Sequence, residues 1–310
     1  MLCVLLMACA IGPSAAAGQA SDLDALVNRG SAAGLSANLL ESVVERGERR
    51  GLSEDAIRGV ITPAIELAEN DLPGAPLLTK TLEGIAKNVP LARMRPVLQT
   101  FRTHTEEAGR VVDTWLASEG AADVLGSSAS RRGSEDRTAL IRGVTAARQQ
   151  NLSLDVAEAW LTALPEAVSA RPVAVPQIES AIRVLPQLPD ADQPASAGHR
   201  LAYAAVEAEY APSAIRQLPH ALEQARRQNE QPMRTLARHA AGAIGGGQPA
   251  PQVLGTLFRG GIPGGGPPEH AGPPDDPRRG PPDALPNDPP GNSPGSPPER
   301  PDPPPGGNGS

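Results

Sequence analysis

The chain has 310 residues, with 28 Lys and Arg against 35 Asp and Glu and a net charge of −7. An acidic chain of this kind is poorly suited to bind polyanions, so nucleic acid is not an expected partner. Its two cysteines, Cys3 and Cys9, stand at the extreme N-terminus, so the rest of the chain has no disulfide, thiolate nucleophile or cysteine-based zinc site.

Leu2 to Ile11 is a short apolar run, and Ala15-Ala16-Ala17 offers the small residues a signal peptidase requires. Residues 1–17 therefore read as an export signal cut after Ala17, although no Lys or Arg precedes the run. A second reading makes Cys9 a lipid anchor with Ala10 to Ala20 as tether. Both readings export the chain, to the periplasm or beyond it, or as a membrane-anchored lipoprotein. The apolar run is too short for a transmembrane span.

The body that follows, residues 21–259, is rich in Ala and Leu, poor in aromatics and free of alternating β-branched runs. That composition predicts an all-α fold of short helices, arranged as a bundle or short solenoid. An apolar residue followed by Ser or Pro recurs at Leu35-Ser36, Leu52-Ser53, Leu72-Pro73 and Val89-Pro90, at intervals of 17, 20 and 17 residues. Ala211-Pro212, Gln231-Pro232 and Gln248-Pro249 follow at 20 and 17. Ile57-Arg58-Gly59-Val60 is echoed by Ile141-Arg142-Gly143-Val144, and Asn151-Leu152-Ser153 then arrives about one helical turn early. Serine caps a helix N-terminus and proline suits a first turn, so each site predicts a helix start. Helices this short are marginal alone and must stack, which predicts a repeat architecture.

Between Asp71 and Leu98, Leu78, Leu82, Ile85 and Val89 share one helical stripe, with Lys80, Glu83 and Lys87 opposite. Lys80 and Lys87 are the only lysines in the chain. These charges read either as a solvated face with i,i+3 and i,i+4 pairs or as a patch that docks a partner. The run from Leu72-Pro73 through Lys80, Glu83-Gly84, Ala86-Lys87 and Val89-Pro90 resembles a pattern in uncharacterised exported bacterial helical-repeat proteins. The resemblance implies a recurrent helical unit and no catalytic residue.

Further along, Val97, Phe101, His104, Ala108, Val111 and Trp115 predict the seam of a longer helix, with Pro96 at its start or at a kink and Asn88 ending the helix before it. Gly120 and the Gly126–Gly133 stretch mark residues 119–134 as a linker between helical regions 21–118 and 135–259. Within the second region, Arg171–Pro176 and Leu188–Pro194 read as surface loops, and Ser196 as the cap of a helix carrying Leu201, Tyr203 and Val206, with Gly198 an awkward member. Gly245-Gly246-Gly247 reads as a break between helices. Residues 260–310 are dominated by proline and glycine and predict a disordered tail with polyproline stretches.

Chemistry-bearing motifs are scarce. His220 and Glu223 stand at helical spacing, but two ligands do not make a metal site. His104 falls on an apolar seam and reads as a satisfied core histidine. The pairs Glu106-Glu107 and Glu41 with Glu45 read as solvated, because acid catalysis needs one desolvated carboxyl. Arg131-Arg132 and Arg226-Arg227 are local basic exceptions in an acidic chain. No catalytic, metal or cofactor residue is nominated. The expected function is that of a non-enzymatic binding or scaffolding module of the bacterial envelope, its partner an envelope protein or cell-wall component. The alternative is an envelope hydrolase whose carboxylates come from distant parts of the chain.

Overall fold

A computed structural model describes residues 22–126, 129–168 and 172–264, with the side chains of 129–132 left out. The segment expected to be an export signal, with Cys9, and the expected tail from residue 265 lie outside the described residues. Among those residues the chain forms thirteen α-helices and no strand, so the fold is all-α. In order they are α1 Asp22–Ala32, α2 Ala37–Arg49, α3 Glu54–Glu69, α4 Ala75–Ala86 and α5 Leu91–Leu116. There follow α6 Glu119–Leu125, α7 Ala129–Gln149, α8 Leu154–Ala167 and α9 Val175–Val184. The last four are α10 Ala197–Glu207, α11 Pro212–Asn229, α12 Met233–Gly245 and α13 Ala250–Phe258.

One device ends most of these helices. A residue in the left-handed region closes the last turn, as at Gly34 (φ 89°), Gly51 (76°), Asp71 (55°), Asn88 (54°) and Asn151 (69°). The next residue then sends its N–H back to a helical carbonyl: Leu35 to Gly30 (3.0 Å), Leu52 to Gly47 (3.0 Å), Leu72 to Leu67 (2.9 Å) and Val89 to Gly84 (2.9 Å). This is the Schellman arrangement, in which the apolar residue after the left-handed one satisfies an orphan carbonyl and packs on the helix it closes. The apolar member of each Leu-Ser or Leu-Pro pair is therefore the stop of one helix, and its partner begins the next. Ser53, Ser153 and Ser196 accept from the backbone N–H of Ala56, Val156 and His199, whereas Ser36 makes no such bond.

Helices pack mainly on their near neighbours in the chain. One row runs α1, α3, α5, α7, α9, α11, α13, each touching the next. Against it lie α2 with α4, and then α6, α8, α10 and α12 in succession. The apolar interior has two clusters, one from Leu23 to Phe101 and one from Ala108 to Leu257, and Leu72 packs against both. Both clusters draw on α5, through Met94, Leu98 and Phe101 at its start and Val112 and Trp115 at its end.

Several expectations are corrected by this packing. The break between cores falls inside α5, whereas the segment expected to be a linker holds α6, with Ala121, Val124 and Leu125 buried. α5 starts at Leu91, so its buried stripe runs through Met94 and Leu98 and leaves Val97, expected on the seam, 60% exposed. The expected loop at 171–176 carries buried Val173 and Val175, with Pro176 in the first turn of α9 and the Val173 N–H bonded to the Val124 carbonyl at 2.7 Å. Leu188, in the second expected loop, is buried as well. Gly198 is explained by close approach, since a Cβ there would lie 2.5 Å from the Pro189 carbonyl oxygen. Residues 260–262, assigned to the tail, are held to the body: Asn229 donates to the Gly260 carbonyl at 2.8 Å and Ile262 packs on the core.

The left-handed turns predict opposite signs for two substitutions. Gly51→Ala meets open space at Cβ, so its cost is conformational alone, about 1 kcal/mol. Glu230, exposed at φ 57°, is expected to gain about 0.5–1 kcal/mol on replacement by glycine. Urea denaturation of both variants measures the two effects.

Candidate functional site

A groove of about 1330 Å³ opens on the described surface. The turn between α3 and α4 contributes Asp71 to Gly74, and α4 adds Thr79, Lys80 and Glu83. Phe101 and Thr105 of α5, both buried, form its base. Arg137, Arg142, Thr145 and Gln149 come from α7, and Glu179 and Arg183 from α9.

Arg137 fixes the groove's geometry. Its guanidinium donates to both oxygens of Asp113 on α5, at 2.6 and 2.9 Å, and to the backbone carbonyl of Asp71. One side chain thereby joins α5, α7 and the α3–α4 turn. The Arg137 hydrogen bonds hold the Asp113 carboxyl below its ordinary value, against the opposing effect of burial. Arg142 reaches Glu179 across α7 and α9 at 3.8 Å, an ion-pair distance without a hydrogen bond. Arg183 is exposed and has no ion pair among the described residues. Thr145 is 3% exposed and its hydroxyl has no hydrogen-bond partner, while the neighbouring Thr105 hydroxyl donates to the Phe101 carbonyl at 2.9 Å.

The charged side of α4 is divided by this geometry. Lys80 and Glu83 line the groove, and Lys87 donates to Glu83 from outside it at 2.6 Å. Lys80 bonds the other Glu83 oxygen at 3.2 Å. The hydrogen bonds from Lys87 and then Lys80 hold the Glu83 carboxyl below its ordinary value, so it stays ionised. All three side chains are substantially exposed, as a solvated face requires.

The other residues singled out in the sequence are engaged elsewhere. Glu223 accepts from Arg226 and Arg227, which push its carboxyl down to about 2 and use up that basic pair. His220 packs tilted against Phe258, with ring centroids 5.6 Å apart. Among the described residues no three His, Cys, Asp or Glu side chains gather as a metal site. Glu106 pairs with Arg102 at 2.7 Å, Glu107 lies 3.7 Å from Arg148, and Glu45 pairs with Arg49 at 3.1 Å. His104 is not fully satisfied, as its Nδ1 is buried without a partner; burial and then Arg148 push its pKa down. The three glycines at 245–247 do end α12, with Gly247 at φ 85°.

Nothing in the sequence singles out Arg137 or Arg183, and Arg142 stands out only within the Ile141-Arg142-Gly143-Val144 echo. His199 is buried with Nε2 2.9 Å from the Ala191 carbonyl, and Tyr203, expected only as an apolar member of its helix, stacks on Trp160 at 5.0 Å and donates to its carbonyl. Tyr210, bonded to the Gln248 carbonyl, has its hydroxyl pKa pushed up to about 12 by burial. No helix among the described residues is long and apolar enough to cross a membrane. No protein-family model, curated protein or solved structure matches the chain.

His199 gives a pH dependence of definite sign. Burial lowers its folded pKa despite the hydrogen bond to Ala191. The unfolded chain protonates this residue near pH 6.5 and the folded chain resists, so its contribution is complete above about pH 6.5 and is lost as pH falls towards the folded value. Urea stability is expected to decline as pH falls below about 6.5, beginning above the range where most carboxylates titrate. His199→Gln keeps a donor for Ala191 and should flatten the decline; His104 has the same sign and should leave part of it.

Proposed function

We propose that the protein is a non-enzymatic binding or scaffolding module, exported to the bacterial envelope, whose helices act as repeated units presenting a groove to a partner. The observation that carries this reading is the groove itself, an opening between α4 and the α7–α9 face whose lining includes several acidic and basic side chains. Its size exceeds the roughly 300–1,000 Å³ common for small-molecule pockets, which favours a macromolecular occupant. The regular spacing of left-handed turns through α1 to α4 supports repeated units, because one closing device is reused at intervals of 17, 20 and 17 residues. Export is supported by the apolar run and small residues at the N-terminus.

The hydrolase alternative requires a carboxyl kept protonated by desolvation near neutral pH. Glu83 in the groove is driven the other way by two ammonium groups. Asp113, Glu69, Asp190 and Glu223 are likewise shifted towards the ionised form by arginine. This pattern is that of carboxylates used as struts.

Affinity capture from a native envelope extract tests the reading, with the chain from Gly18 compared with the same chain ended at Gly264. A protein held by both and enriched above a control is the expected outcome. Failure of both forms to enrich anything would count against a binding module and turn attention to small-molecule turnover.

A further inference from the structure

We infer that the groove receives an extended, carboxylate-rich peptide segment of a protein partner, anchored by the guanidinium groups of Arg142 and Arg183. This rests on the reading of the protein as a binding module and names the chemistry of what it binds.

Charge is the first ground. The lining has four cationic side chains, Lys80, Arg137, Arg142 and Arg183, against three carboxylates, Asp71, Glu83 and Glu179. In a chain of net charge −7 this is a local reversal of sign. The cations are also unequally engaged. Arg137 is held by Asp113 and Asp71, and Lys80 shares Glu83 with Lys87. Arg142 meets Glu179 only at 3.8 Å, and Arg183 meets no carboxylate among the described residues. Both are exposed. Two guanidinium forks on adjacent helices are therefore left with donors to spare, and their planar geometry matches a carboxylate bidentately.

The uncharged part of the lining is the second ground. The shape of the lining selects a peptide. A single strand of nucleic acid needs aromatic platforms for its bases. Phe101 is the one aromatic among the lining residues, and it is 8% exposed. The amide of Gln149 and the hydroxyl of Thr79 instead suit the alternating donors and acceptors of an extended backbone.

The test uses the chain from Gly18 and two short fluorescent peptides of the same length, one alternating Glu and Thr and one with Gln at every Glu position. The Glu peptide is expected to bind at least about tenfold more tightly than the Gln peptide and to weaken at raised ionic strength. Arg142→Glu with Arg183→Glu should reduce that binding by about tenfold or more, while Arg49→Glu, outside the groove, leaves it unchanged.

Equal binding of the two peptides would overturn the inference. So would a Glu peptide indifferent to the Arg142 and Arg183 reversals, or heparin bound more tightly than the peptide through the same residues. If envelope capture yields a partner that the groove variants hold as well as the parent does, the binding module stands and this site for it falls. If capture fails altogether, the broader reading falls first.

Discussion

Every helix that ends must turn the chain while leaving no carbonyl without a partner, and this constraint organises the protein. The turn residue accepts a left-handed backbone, and the apolar residue after it bonds back to the helix and buries its side chain against it. Leu35, Leu52, Leu72 and Val89 do this in succession. Because the same residue also precedes the next helix, two successive helices are locked to one another by a few bonds. The short helices, each marginal alone, thereby acquire fixed neighbours.

The constraint was half legible in the sequence. The spacing of Leu-Ser and Leu-Pro pairs located the joints, and Asn88 was identifiable as a stop because asparagine tolerates the left-handed region. What could not be read was the second duty of the apolar residue, since Leu72 before a proline looks the same whether it closes one helix or merely precedes another. The linker expected at 119–134 failed for a related reason. Glycine and serine there suggested a break, but Ala121, Val124 and Leu125 have apolar surface that tertiary packing buries. Prolines at 172 and 176 misled similarly, as valines between them are drawn into the core. The groove was scarcely legible, because it lies between α4 and the α7–α9 pair, which are far apart in sequence. Of its cations only Lys80 was conspicuous, and only because lysine is so rare here.

That rarity has a physical counterpart. Ion pairs that tie separate elements together use arginine: Arg29 with Glu69, Arg58 with Asp22, Arg102 with Glu66 and Arg137 with Asp113 between helices, and Arg234 with Asp190 between α12 and the loop before α10. Several are two-pronged, as in the 2.6 and 2.7 Å bonds from Arg234 to the two oxygens of Asp190. A planar fork sets an orientation as well as a distance, which a flexible ammonium does not. The two lysines serve a different role, pairing with Glu83 along their own helix, where orientation is already given by the helical repeat.

The 26-residue helix α5 belongs to both apolar clusters, its first half facing one and its second half the other. At about 1.5 Å per residue it is a strut of roughly 39 Å on which the two halves of the body are hung. Neither half can be cut away without stripping one end of that strut of its cover, so the chain is not two modules joined by a tether. In evolutionary terms, helices could be added or lost at the outer ends of the body with little disturbance, whereas a duplication or swap breaking within α5 would have to supply a new apolar cover for whichever end it exposed.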